Sequence, residues 1–584
     1  MFDLTRIEPW LRGWRGPLLA ALLALLAGLP GALALPTLDR DEARFAQATA
    51  QMLETGDFVD IRFQDEPRDK KPVGIHWLQA ASVAALSSAE ARDIWVYRLP
   101  SLLGAMLAAA ALAWGGTALL GPVRGVGAGA LLGLTFLLST EAGIAKTDAV
   151  LCGTTTLAIA ALARLYAAPE LRSRRTVLAF WLAMAVALLD KGPIGPMVVM
   201  LTGLCLLAWD RRAPWARRLN WPWGLILVLA IAGPWAVAIT VKTDGAFWGK
   251  AIGSDMAPKL AGGQEGHGAP PGLHALISPL LFFPFAFLLP TALVQAWKAR
   301  GEPAVRFAIC WLVPSWLVFE AAPTKLPHYT LPLYGALAWL AVVAACRPLG
   351  RWSRWVGLGL TGLAGTVWIA AVIYLGARYG GAAGWIVLTV LLMLGAAASG
   401  VAWLLRREVS AGSDQGDWRW IALAGALGLM AHGALLGGLA PGLQPLWIAD
   451  QVNALLVRTH LDPRDGLVDG PVAVIGYAEP SLIFTLGTET QLGDASDGGE
   501  AIAEGRPVLV EARAEAGFLA ELAAEHLSAT PAGQVKGFDY SDGKKEVLTL
   551  YRSDSPPPQD QATASEPDDP NAPPSSAPNE QPSP

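Results

Sequence analysis

Charge and cysteine are both scarce in this chain. Asp, Glu, Lys and Arg make up 16% of its 584 residues, against 53% apolar, and the mean hydropathy is positive. That leaves too little polar surface for a soluble globule and marks a polytopic membrane protein. A basic surplus is missing too: the formal net charge is -5, so a nucleic-acid partner has no electrostatic footprint to meet. The four cysteines, Cys152, Cys205, Cys310 and Cys346, lie inside or at the end of apolar runs without metal-ligand spacing. They read as small buried hydrophobes and imply no disulfide framework.

What the chain has in quantity is apolar runs. Residues 17–36 follow Arg6, Arg12 and Arg15, and the run is longer than the apolar part of a secretory signal, so it reads as an uncleaved first span. A spanning helix needs about 20 apolar residues. Further candidates are 97–119, 126–143, 149–167, 176–190, 193–209, 222–241, 274–297, 304–320, 328–346, 355–375, 383–405 and 419–440. Val73 to Leu86 is shorter and interrupted by His76 and Gln79, which suits an interfacial or re-entrant helix better than a span. With that segment left out, the clusters Arg172/Arg174/Arg175, Arg211/Arg212/Arg217/Arg218 and Arg347/Arg351/Arg354 fall on the same side as the basic N-terminus. The excess of Lys and Arg in short loops marks that side as cytoplasm. The expectation is a transmembrane region over 1–440 with about thirteen spans, a first outer loop over 37–96 carrying interfacial helices, and an N-terminus inside. A small outer α/β domain is expected over 441–552, from the strand-like runs at Pro471 to Tyr477 and Arg506 to Glu511 and a helical pattern from Glu511 to His526. Residues 553–584, rich in Pro, Ser, Asp and Gln, cannot bury a core and are expected to be disordered.

Charged motifs then gather on the outer side. Leu38-Asp39-Arg40-Asp41-Glu42-Ala43-Arg44-Phe45 follows the first span; Lys70-Lys71-Pro72, Lys146-Thr147-Asp148, Asp190-Lys191-Gly192-Pro193 and Lys325-Leu326-Pro327-His328-Tyr329 each flank another apolar run. Asp41 and Asp148 can be paired as a base and an orienting group, although Asp148 reads equally well as a helix cap. Lys71, Lys191 and Lys325 either snorkel to the interface or are kept on the non-cytoplasmic side to meet a phosphate, for which Arg44 offers a fork. His267, beside Glu265 in the longest outer loop between spans, is the candidate metal ligand, without a second ligand at fixed spacing. His328 and Tyr329 also read as interfacial aromatic residues.

These motifs resemble those of the GT-C glycosyltransferases that use polyprenyl-phosphate sugars, in the aminoarabinose-transferase-like branch related to protein O-mannosyltransferases. Asp41-Glu42-Ala43-Arg44-Phe45 is similar to the family's DEARY motif, Lys71-Pro72 to its EKPP element and Lys325 to Tyr329 to its KLPxY motif; the resemblance returns near Gly476 to Ser481 and from Gly537 to Arg552. It implies an inverting glycosyltransferase of the bacterial inner membrane, moving a sugar from an undecaprenyl monophosphate donor to a cell-envelope acceptor such as lipid A. By the same resemblance Asp41 and Asp148 are the catalytic acids, and Glu42, Arg44, Lys71, Lys191, Lys325 and Tyr329 bind substrate. The family's metal-binding Glu is replaced here by Lys70, so no cofactor is expected, with His267 left as the candidate ligand for a divalent ion. The alternatives are a protein O-mannosyltransferase-like enzyme acting on Ser/Thr and, in another class, a lipid-linked sugar flippase. The flippase reading lacks a midplane acid pair or an inverted repeat.

Overall fold

The computed structural model describes residues 4–168, 170, 173–257, 268–406, 418–468 and 470–554. The chain divides into two compact units, one of residues 1–455, 478–490 and 535–547, the other of 456–477, 491–534 and 548–584.

The first unit is that of a polytopic helical membrane protein. Among the described residues nine helices are long and apolar enough to cross a bilayer, and the pair Pro122–Gly133 and Phe136–Ala142, bent by 61°, makes a tenth if counted as one broken span. The other three expected spans are helical but fall short of that standard. Arg174–Lys191 carries Arg174, Arg175, Asp190 and Lys191 within its 18 residues, and Ile194–Asp210 has 17. The expected span at 274–297 is broken into Leu273–Leu281, a 3-10 turn at Ala286–Leu288 and Leu289–Lys298, with Pro284 in the gap removing a helical N–H. Val73 to Leu86 gives a 13-residue helix, Gly74–Leu86, below spanning length. His76 and Gln79, which interrupt its apolar run, are buried rather than solvated.

Six helices position the site: α1 (Arg15–Ala34), α2 (Asp41–Thr55), α3 (Gly74–Leu86), α4 (Ile94–Leu120), α5 (Thr147–Ala167) and α6 (Arg174–Lys191). Helix α2 starts with Asp41 and Glu42 in its first turn, where the helix dipole favours acids, and ends at Gly56 with φ 70°, a left-handed stop that glycine adopts without strain. Two close approaches fix the rest. A Cβ on Gly153 would lie 2.4 Å from the Gly104 carbonyl oxygen, so α4 and α5 pack backbone to backbone through a pair of glycines. A Cβ on Gly74 would lie 2.6 Å from the Leu189 carbonyl, which seats the start of α3 against the end of α6.

The C-terminal part of the chain holds a mixed sheet of β1 (Ala473–Ile475), β2 (Gln491–Gly493), β3 (Val508–Glu511), β4 (Ala529–Asp539) and β5 (Lys544–Ser553) in the order β2-β1-β3-β5-β4. Strand β1 pairs in parallel with both β2 and β3, and β5 runs antiparallel to β3 with Val508 opposite Tyr551. The short runs at 471–477 and 506–511 are thus strands, and a helix occupies Glu515–Ala524. Its core gathers Ile475, Val508, Val510, Phe518 and Tyr551. The expected disorder of the tail falls, from residue 555 on, outside the described residues.

Candidate active site

The two acid-bearing loops are tied together by one buried ion pair. Arg98, fully buried on α4, donates from Nε and Nη2 to the two oxygens of Glu42 at 2.8 and 2.7 Å. It also donates to the Leu35 and Pro36 carbonyls at 2.6 and 2.8 Å, satisfying main-chain acceptors left over at the end of α1. Glu42 accepts further from the Leu38 N–H at 2.9 Å and from the Ala145 N–H at 2.7 Å. Asp41 stands next to Glu42 in sequence, and Ala145 lies three residues before Asp148. The Glu42 carboxylate, expected among the substrate-binding groups, is therefore occupied inside the protein, where four donors satisfy it.

Around this tie the structure brings Asp41, Lys71, Asp148 and Lys191 together. Burial works against the charge on Asp41, yet the cations of Lys71, Arg68 and Lys146 more than offset it and hold its carboxyl below the ordinary value. Lys191 makes an ion pair with Asp148, and its ammonium lies 5.7 Å from the centre of the Tyr329 ring. Phe45, one turn after Asp41 and buried, lies under two cations: the Arg68 guanidinium at 4.3 Å and the Lys71 ammonium at 4.9 Å from its ring centre, both within cation–π range. Burial, and the nearby charge of Lys191, bring Lys71 down to about 8. Nη1 of Arg68 is buried without a hydrogen-bond partner among the described residues.

Behind these lies a group that the motifs indicated only in part. Glu141, Asp148 and His328 present their ligating atoms within 4.8 Å of one another, and the Lys146 ammonium stands among them. Of these, Glu141 belongs to none of the sequence motifs, and neither Arg68 nor Phe45 is marked by charge spacing alone.

The remaining expectations fall elsewhere. Lys325 is buried and its ammonium is taken up by the Ala269 and Ala322 carbonyls, where it fastens a loop instead of reaching the cluster, because main-chain acceptors surround it. Arg44 is half-buried, close enough for its charge to act on Arg68 and Glu479. His267 lies outside the described residues. Ser481, Tyr540 and Ser541, from the stretches where the motif resemblance returned, meet the loop before α2. The Asp39 N–H donates to the Tyr540 hydroxyl at 2.7 Å, Ser481 donates to the Asp39 carboxylate, and Arg40 donates to the Ser541 carbonyl at 2.6 Å. Burial raises Asp39 to about 6 and Glu479 to about 7 there.

No model of a known protein family matches the chain. It is similar to the undecaprenyl phosphate-alpha-4-amino-4-deoxy-L-arabinose arabinosyl transferase of Pseudomonas paraeruginosa, 28% identical over 442 residues covering 73% of this chain and 75% of the relative. It is likewise similar to the enzyme of the same name from Pseudomonas aeruginosa, 29% identical over 445 residues covering 73% and 75%. In fold it is similar to the crystal structure of ArnT from Cupriavidus metallidurans bound to undecaprenyl phosphate, with a TM-score of 0.70 and 19% identity over 91% of this chain and 97% of that one.

Proposed function

We propose that this chain, an aminoarabinose-transferase-like GT-C glycosyltransferase, transfers a sugar from an undecaprenyl-phosphate carrier to a lipid A acceptor at the periplasmic face of the bacterial inner membrane. The observation that carries the chemistry is the placement of one ionised acid, Asp41, against two cations held on the Phe45 ring. An acceptor oxygen attacks the anomeric carbon, its proton passes to Asp41, and the bond from that carbon to the phosphate oxygen breaks with inversion. The leaving phosphate already carries charge, so preorganised cations at Lys71 and Arg68 are the main stabilising element. Lys191 orients Asp148 and faces Tyr329, from where both reach the sugar.

The test is mass spectrometry of lipid A from a deletion strain and its complement, together with transfer by purified protein from undecaprenyl-phosphate aminoarabinose to lipid A. Unchanged lipid A with glycosylated Ser or Thr would transfer the reading to a protein acceptor, and transbilayer movement of the carrier without transfer would replace it with a flippase.

Because the Lys71 ammonium titrates near 8, it is charged below that pH and loses its charge above it. Affinity for an undecaprenyl-phosphate sugar, measured as Kd across pH, is expected to fall as pH rises through about 8. Lys71→Arg is expected to move that fall upward. A Kd independent of pH would remove Lys71 from the phosphate.

The topology that goes with this reading has about thirteen spans, an N-terminus inside and the 441–552 region outside. Reporters fused at Ala213 and Gly350 are expected to report cytoplasm, and those at Asp255 and Asp450 periplasm. A cytoplasmic signal from Asp450 would break the shared face on which the site depends.

A further inference from the structure

The metal site implied by the family does not fit this chain. Lys70, an exposed cation, stands where an acidic ligand is needed, and a cation does not bind a metal ion. Glu141, Asp148 and His328 together form a group with the right atom types for a divalent ion, but its centre is already filled. The Lys146 Nζ lies 3.0 Å from Glu141 Oε2, 3.3 Å from His328 Nδ1 and 3.7 Å from Asp148 Oδ2. An ammonium has three N–H donors and no acceptor; here it donates to His328 Nδ1 and stands at ion-pair distance from both carboxylates. A Zn²⁺ bound by the same donors at about 2.0–2.2 Å would need the space that Nζ fills.

The surroundings fix that ammonium in place. Its own backbone carbonyl accepts from Ser101 Oγ at 3.0 Å, and the three acceptor residues come from three separate segments: the end of Phe136–Ala142, the first turn of α5 and the 3-10 turn Pro327–Leu333. With Nδ1 of His328 accepting from Lys146, the ring proton falls on Nε2, 3.6 Å from Asp148 Oδ2. The side chains of Lys146, Glu141 and Asp148 are 9%, 6% and 5% exposed, so bulk water screens little of the interaction. Although burial opposes its charge, the carboxylates of Glu141 and Asp148 hold Lys146 above the ordinary lysine value.

The geometry points to Lys146 as a built-in cation that takes the place of a divalent metal ion between Glu141, Asp148 and His328, making this centre metal-independent. Lys146 is thereby a positioning residue: it neutralises Glu141 and holds Asp148 toward Lys191, so the duty it performs in catalysis rests on the transferase reading above, while its occupancy of the ligand group does not.

The test reads bound metal directly. Wild-type protein, chelated and then dialysed against Mn²⁺, is expected to show no stoichiometric ion by electron paramagnetic resonance, and Lys146→Ala is expected to gain one ion per chain, lost again in Lys146→Ala/His328→Ala. Lys146→Arg, which keeps a cation in place, is expected to bind none. The proposal is overturned by a stoichiometric Mn²⁺ on the wild type that His328→Ala removes, or by a folded Lys146→Ala protein, judged by thermal melt, that binds no Mn²⁺. If the alanine variant does not insert, the wild-type measurement and its His328→Ala control decide alone. None of these readouts needs sugar transfer, so a wrong substrate assignment leaves them unaffected. Where transfer is measured, activity lost on chelation and restored by Zn²⁺ also overturns the proposal.

Discussion

Asp41→Asn is expected to lower sugar transfer by about 10²- to 10⁴-fold, the range for removing a general base, while the protein still inserts and melts near the wild-type temperature. The carboxylate is ionised because Lys71, Arg68 and Lys146 surround it, and asparagine keeps its shape and one acceptor while losing both charge and basicity. Its structural duty is small. Arg40, not Asp41, is at the N-cap position, and no side chain caps that end, so as a helix-start residue Asp41 contributes about 0.3–1 kcal/mol through the helix dipole, beside its pairing with the cations around it. The measurement is initial rate from an undecaprenyl-phosphate sugar with purified protein, matched by thermal melt. Turnover near wild type would remove Asp41 from the mechanism and leave Asp148 as the acid to test next.

Arg98→Met carries the largest expected loss of stability. It leaves Glu42 charged in a fully enclosed place and frees the Leu35 and Pro36 carbonyls. Breaking a buried pair from one side costs about 3–5 kcal/mol. Detergent-solubilised Arg98→Met is expected to melt well below wild type and to lose transfer. Glu42→Gln/Arg98→Met removes the stranded charge and is expected to recover part of the melting temperature. It is not expected to recover the rate in proportion, because the tie between Leu38, Ala145 and the α1 end remains broken. A single variant as stable as wild type would show that water or lipid reaches this pair, and would end its role in setting the distance between the acid-bearing loops.

Helices were legible wherever length and hydropathy alone decide. The first span, the short helix after Pro72 and the strands around Val474 and Leu509 all stand where the residue pattern puts them. The broken stretch from Leu273 to Lys298 was not, because mean hydropathy registers apolar content and ignores what a proline such as Pro284 does to the ladder. The hairpin of β4 and β5 escaped for a related reason: β4 alternates too weakly, with Gln534 and Lys536 in its middle, to announce a strand. At the site, Asp41, Lys71 and Lys191 declared themselves as charges beside apolar runs, a local signal. Glu141, Arg68 and Arg98 did not, since what distinguishes each is a partner well removed in the chain: His328 for Glu141, Phe45 for Arg68, Glu42 for Arg98. Lys325 was read from its motif alone, which holds no information about the carbonyls of Ala269 and Ala322 that receive it.

Phe45 holds its two cations without accepting a single hydrogen bond from them. A carboxylate in that position would have gripped Arg68 and Lys71 more strongly, but by engaging the N–H groups that a visiting anion must find open. A ring attracts through its quadrupole and leaves the donors alone, as the unpartnered Nη1 of Arg68 illustrates. Grip and vacancy are thus supplied by different kinds of force. An anion arriving at this face meets an Arg68 Nη1 that has no hydrogen-bond partner among the described residues to displace. Under the proposed transfer, that suits a phosphate that must be taken up and given back once in every cycle.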